Sequence, residues 1–261
     1  MKIESSRIVV TGAAHGIGRG LVEAFLAHGA QSVVVSDLDA DAVSAMSETL
    51  GVPGRPCDVG DQAALAAFID WAEETAGPTD LFCGNPAVFG GPEGGNLQTS
   101  AATWDRSWRV NVLAHVWAAQ CLVPRMLRRG GGHFLQTLSA AALITGPSEL
   151  TYTVTKHAAL GFAEWLALNY SDKGIRVSCL CPTAVETRTV QGADHPGIGL
   201  VQTPAEVAEI TVAGLAAENF LILPNPRVGS SFRNKADDYD RWLAYTTNRL
   251  GDLRPPSPFT F

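Results

Sequence analysis

The sequence predicts an α/β fold, a parallel sheet flanked by helices and built as one domain. Three observations predict it. Short β-branched or apolar runs alternate with longer amphipathic runs along the chain, the pattern of repeated strand, helix, strand units. The composition is 46% hydrophobic and 17% charged, with 26 Gly and 15 Pro, which is ordinary globular usage and excludes disordered, collagen-like and coiled-coil classes. The 261 residues contain no internal repeat, charge block or Ser/Gly linker, so a single domain over 1–261 is expected.

The strand candidates, in chain order, are 7–11, 32–36, 55–59, 80–83, 133–138, 176–181 and 220–223, each a short run rich in Val, Ile, Leu, Phe or Cys. That makes a seven-stranded sheet. Helices are expected between them at 16–28, 40–50, 62–75, 101–128, 152–171 and 203–217. The last has a firm start, because Thr203-Pro204-Ala205-Glu206 places a cap hydroxyl, a Pro at the first helical position and a carboxylate at the third. In the helix at 152–171, Ala159, Phe162, Ala163, Leu166 and Tyr170 recur at three- and four-residue steps and form one apolar face. Trp104, Trp108, Trp117 and Trp165 are read as packing residues on the long helices. Beyond the last strand, 224–261 is a tail carrying Phe232, Tyr239, Trp242 and Tyr245, expected to cover a pocket or a neighbouring subunit.

Nineteen Lys and Arg against 26 Asp and Glu give a net charge of −7. An acidic surface repels phosphate backbones and anionic lipid alike, so neither nucleic acid nor membrane is an expected partner. The most apolar long stretch, 110–127, is interrupted by Asn111, His115, Gln120, Pro124 and Arg125 and cannot span a bilayer. No basic region or long apolar segment precedes Ile8-Val9-Val10, and a cytoplasmic location is expected. Cys57, Cys83, Cys121, Cys179 and Cys181 lack the spacing of a disulfide framework or a zinc site and read as reduced buried thiols. No metal site is expected.

The first strand runs into Thr11-Gly12-Ala13-Ala14-His15-Gly16-Ile17-Gly18, and a helix follows. Glycines let the backbone turn sharply and approach a pyrophosphate, while the helix start offers free N–H groups. An acid, Asp37, ends the second strand about 20 residues on, where a ribose 2′-hydroxyl would lie. Its carboxylate would accept from ribose hydroxyls and repel a 2′-phosphate, favouring NAD over NADP. Farther along, Tyr152 and Lys156 are four apart and share a helix face, with Ser139 at the end of the fifth strand. A free Tyr is only about 0.1% ionised at pH 7, and a neighbouring ammonium stabilises its phenolate.

With these residues in place, the chain resembles the short-chain dehydrogenase/reductase family over nearly its whole length. The resemblance rests on Thr11 to Gly18, Asp37, Asp58-Val59, Asn85, Asn111, Ser139, Tyr152 to Lys156 and the segment from Pro182 to Thr187. It implies a Rossmann-like, doubly wound sheet and an NAD-dependent interconversion of a secondary alcohol and its ketone. By the same resemblance Tyr152 is the general acid/base and Ser139 orients and polarises the reacting oxygen. Lys156 binds the nicotinamide ribose and lowers the Tyr152 pKa, and Asn111 holds a water in a proton relay. Gly12, Gly16, Ile17 and Gly18 would line the pyrophosphate, Asp37 and Leu38 the adenosine ribose, and Asp58 and Val59 the adenine. Asn85 and Pro182 would border the coenzyme, with Val185 and Thr187 at the carboxamide. A substrate loop is expected at 188–203, and a homodimer or homotetramer through the helices at 101–128 and 152–171.

Two positions depart from the family pattern. The usual Asn-Asn-Ala-Gly reads Gly84-Asn85-Pro86-Ala87, losing one side-chain amide, one backbone donor and one Gly. The usual Pro-Gly reads Pro182-Thr183, which adds a side chain beside the nicotinamide and is expected to weaken coenzyme binding. The alternative these departures leave open is a catalytically silent NAD-binding sensor of the same fold. His195 and Glu149 are read as solvent-facing, and His133 as the start of a strand.

Overall fold

The computed structural model describes residues 1–90, 97–145, 150–186 and 201–249. Six parallel strands form one sheet: β1 (Arg7–Thr11), β2 (Ser32–Ser36), β3 (Leu81–Gly84), β4 (Gly132–Thr137), β5 (Ile175–Leu180) and β6 (Leu221–Ile222). Their spatial order is β2-β1-β3-β4-β5-β6. The order reverses beside β1, so the loops leaving β1 and β3 part and open a crevice at the carboxyl ends of the strands. Nine helices are described: α1 (Gly16–Ala27), α2 (Ala40–Leu50), α3 (Gln62–Ala76), α4 (Ala101–Trp108), α5 (Ala114–Arg128), α6 (Leu150–Tyr170), α7 (Pro204–Ala216), α8 (Pro226–Asp237) and α9 (Tyr239–Arg249).

The two-residue period of the strands divides the core. Ile8 and Val10, Val33 and Val35, and Leu81 and Cys83 face one side, where they meet Leu21 and Phe25 of α1 and Val207, Val212 and Leu215 of α7. Val9, Val34 and Phe82 face the other, against Phe68 and Ile69 of α3, Leu122 and Met126 of α5, and Ala159 and Leu166 of α6. A sheet covered by helices on both faces has near-continuous apolar strands, as these are.

The seventh strand expected at 55–59 is met in part. The segment runs beside β2 and makes some ladder bonds, Val35 N–H to the Pro53 carbonyl, Arg55 N–H to the Val35 carbonyl and Cys57 N–H to the Asp37 carbonyl. Pro56 falls between the two donors, on the side turned away from β2, and among the described residues only the isolated bridge between Val35 and Gly54 forms there. The helix expected at 101–128 is one helical run broken by a π turn at Arg109–Leu113. The start of α7 is a full capping box, with Thr203 Oγ1 accepting from Glu206 N–H at 3.2 Å and Thr203 N–H donating to Glu206 Oε2 at 2.8 Å. Two helices in the tail, α8 and α9, were not expected.

Candidate active site

A cleft of about 380 Å³ opens along the carboxyl ends of β1 to β5. At one end lies the glycine turn. Gly12 has φ +63°, a conformation open to glycine, and its carbonyl accepts from Asn85 Nδ2 at 2.8 Å. A Cβ on Gly18 would sit 1.9 Å from that carbonyl and 2.8 Å from Asn85 Nδ2. The Gly18 backbone therefore touches the turn directly, and the start of α1 is pressed against it. Asp37 accepts from Ala14 N–H at 3.0 Å and from Asp39 N–H at 3.2 Å, so its carboxylate is fixed at the mouth of the cleft. The ring of His15 nearby is turned to Asp39, Nε2 to Oδ2 3.0 Å.

At the other end α6 presents Tyr152 to the cleft, together with Ser139 from the turn after β4. Ser139 Oγ accepts from Ala141 N–H at 3.1 Å, which holds the oxygen while leaving its hydrogen free to donate. Lys156 is fully buried. Its ammonium donates to the Thr137 carbonyl at 2.9 Å and lies 5.4 Å from the centre of the Tyr152 ring. Burial pulls its pKa down to about 8, opposed by Cys181. The same desolvation pushes the Cys181 thiol up to about 12, against the Ser139 backbone amide and the Lys156 charge. At neutral pH the site thus holds a cation near the phenol, with no ion pair to it among the described residues.

Asn111 lies in the π turn, fully buried. Its Oδ1 accepts from Val88 N–H at 2.9 Å, and its Nδ2 donates to the Val88 carbonyl at 2.9 Å and to Thr155 Oγ1 at 3.0 Å. Thr155 Oγ1 in turn lies 3.1 Å from the Tyr152 carbonyl. Asn111 therefore links the loop after β3 to the turn of α6 that carries Tyr152. Both side-chain N–H groups are engaged, which leaves any relay water to other atoms of the residue.

Of the residues singled out from sequence, Gly12, Gly16, Ile17, Asp37, Leu38, Asp58, Val59, Asn85, Ser139, Tyr152, Pro182 and Val185 line this cleft. Gly18, Asn111 and Lys156 support it from behind. Thr187, His195 and Glu149 lie outside the described residues, as does most of the expected substrate loop. Sequence reasoning missed Phe89 and Arg106, which also line it. The Phe89 ring stacks on Tyr152 with centroids 4.4 Å apart and planes 19° apart.

The departures have structural partners. A Cβ on Gly84 would come within 2.7 Å of His115 Nδ1, so the missing side chain makes room for a buried imidazole. Pro86 packs on Gly12, where an added Cβ would sit 2.9 Å from Pro86 Cγ. Thr183 lines the cleft, and its Oγ1 is buried with no hydrogen-bond partner among the described residues. Together the glycine cradle, the fixed Asp37 carboxylate and the orphaned Thr183 hydroxyl fit a dinucleotide lying across the strand ends.

Such a fold and cleft define a nucleotide-binding oxidoreductase. The family profile of short chain dehydrogenases matches residues 6–196, and the chain belongs to the short-chain dehydrogenase/reductase family. It is 32% identical to a 1-deoxy-11-beta-hydroxypentalenate dehydrogenase of Streptomyces exfoliatus, over 99% of this chain and 94% of that one. Among solved structures it resembles a family member from Burkholderia phymatum in complex with NAD, with a TM-score of 0.82, 25% identity and full coverage of both chains. It also resembles a 7α-hydroxysteroid dehydrogenase complexed with NADH and 7-oxo glycochenodeoxycholic acid, with a TM-score of 0.75 and 27% identity over 85% of this chain and 94% of that one. The protein is an oxidoreductase of this family, and a nicotinamide coenzyme is its cofactor.

Proposed function

We propose that the protein interconverts a secondary alcohol and its ketone, with NAD(H) as coenzyme and Tyr152 as general acid/base. The observation that carries this reading is the Lys156 ammonium, fully buried 5.4 Å from the centre of the ring of a phenol that lines the cleft. The coenzyme supplies or accepts the hydride when bound. Tyr152 exchanges the hydroxyl proton, Ser139 donates to the reacting oxygen, and Lys156 holds the phenolate in place by charge. Asn111 keeps Tyr152 and the loop after β3 in register and sits where a proton relay would pass.

Gly12, Gly16, Ile17 and Gly18 would hold the pyrophosphate, with Asp58 and Val59 at the adenine and Asn85, Pro182, Val185 and Thr187 at the nicotinamide side. Asp37, with Leu38, favours NAD, because a carboxylate fixed by two backbone amides accepts from ribose hydroxyls and repels a 2′-phosphate. The NAD and NADH complexes of the two structural relatives support this choice, and the 7-oxo acid bound to one supports a carbinol set in a ring. The same reading places the protein in the cytoplasm as a homodimer or homotetramer. Trp165 and Leu168 of α6 stand exposed on a face a second copy would cover. No helix among the described residues is long and apolar enough to cross a membrane.

An absorbance screen at the reduced-nicotinamide band, run with secondary alcohols and both coenzymes, tests the reading. NAD is expected to give the higher kcat/KM, and Asp37→Ser to shift the preference toward NADP by about tenfold or more, the scale of one charge contact. Equal efficiency with both coenzymes in the unaltered protein would contradict the assignment.

A further inference from the structure

We propose that Phe89 is a specificity-determining residue, forming with Tyr152 an aromatic wall that selects ring-bearing, apolar secondary alcohols over small acyclic ones. This rests on the oxidoreductase reading above and names the substrate class of that site. Phe89 stacks on Tyr152 at 4.4 Å, lines the cleft and keeps 44% of its surface exposed. A cleft-lining ring that touches the phenol and is not fully covered offers apolar area beside the place where the carbinol would lie.

The stack is held from both sides. Val88, next to Phe89, has its N–H and its carbonyl both bonded to Asn111. Asn111 also donates to Thr155, whose hydroxyl donates to the Thr151 carbonyl at 2.7 Å and lies 3.1 Å from the Tyr152 carbonyl. One buried side chain therefore fixes the backbone beneath both rings, and Phe89 is preorganised rather than free to swing with its loop. Val88 and Leu138 line the cleft as apolar neighbours, Pro182 and Val185 belong to the nicotinamide side, and Arg106 adds a charged group to the lining, while the acids Asp37 and Asp58 belong to the glycine-turn end. A flat alicyclic body would cover the open part of Phe89, and a two- or three-carbon group would leave it wet. Burying roughly half a Phe side chain corresponds to about a three- to tenfold preference.

The test compares cyclohexanol and 2-decalol with 2-butanol, by kcat/KM and by titration of each alcohol into the coenzyme-loaded protein. Phe89→Ala is expected to lower the cyclic-to-acyclic ratio by about three- to tenfold in both readouts, and Phe89→Tyr to restore it. A Phe89→Ala variant that loses rate equally on all three alcohols, with an unchanged binding ratio, would show that the ring only steadies Tyr152 and would overturn the proposal. An unaltered protein that binds cyclic alcohols preferentially without turning any over would count against the oxidoreductase reading and leave the role of Phe89 standing.

Discussion

Single side chains explain the places where this chain leaves the family pattern. Gly84 stands where an amide is usual because His115 fills that space, and the imidazole, buried near Lys156, has its pKa lowered to about 3 by desolvation first and by Lys156 second. His133 in β4 is lowered to about 4 by burial, with the N-terminal ammonium adding to it. Both rings stay neutral in the fold and take up protons when unfolded, where a His titrates near 6.5. The unfolded state therefore binds more protons below that pH, and stability falls as the pH drops through 6.5 toward 4. Each ring contributes a slope of up to about 1.4 kcal/mol per pH unit. Urea midpoints are expected to fall between pH 7 and pH 5, and His133→Asn to flatten the decline; a midpoint constant over that range would contradict the burial of both neutral rings.

Elements show how far the sequence could be read. The alternation of apolar runs placed six strands and the six principal helices, since a sheet buried on both faces writes its strands as continuous Val, Ile and Leu. At 55–59 it found a segment whose Arg55 and Cys57 amides bond to the Val35 and Asp37 carbonyls beside β2, though only an isolated bridge forms, at Gly54. It failed in the tail. Both tail helices had a visible signal: Asn225 accepts from Arg227 N–H ahead of Pro226 at the start of α8, and Tyr239, Trp242 and Leu243 recur at helical spacing in α9, although none of its residues is buried. These two helices are tied back to the site by Lys235. Its ammonium is buried, donates to the Leu143 carbonyl at 2.9 Å, and lies 5.4 Å and 5.1 Å from the Tyr239 and Trp242 rings. Leu143 is four residues past Ser139, so the tail braces the turn that aims the serine hydroxyl. Deleting the residues after Arg233 is expected to lower kcat/KM by about tenfold, the scale of one charge-assisted hydrogen bond, or to reduce the sedimenting mass. Unchanged kinetics and sedimentation would remove the tail from the account.

In the whole molecule, the reversal of strand order beside β1 brings distant motifs to one crevice. The glycine turn after β1, Asp37 after β2, Asn85 after β3, Ser139 after β4 and Pro182 after β5 meet because parallel strands all end on the same side. Their spacing in the sequence carries this much. What spacing could not convey is depth. Tyr152 and Lys156, four apart on α6, were expected to share one cleft, yet only the phenol lines it and the ammonium is buried behind. Nor could spacing pair Phe89 with Tyr152, a contact made across the fold by a loop residue just past the Gly84-Asn85-Pro86-Ala87 segment. Whether this buried cation tunes a phenol to move the proton is decided by Tyr152→Phe, followed by NADH titration and by turnover of a secondary alcohol. NADH affinity is expected to stay close to that of the unaltered protein while kcat falls by about 10² to 10⁴-fold; turnover that survives the loss of the hydroxyl would mean that Tyr152 does not carry the proton.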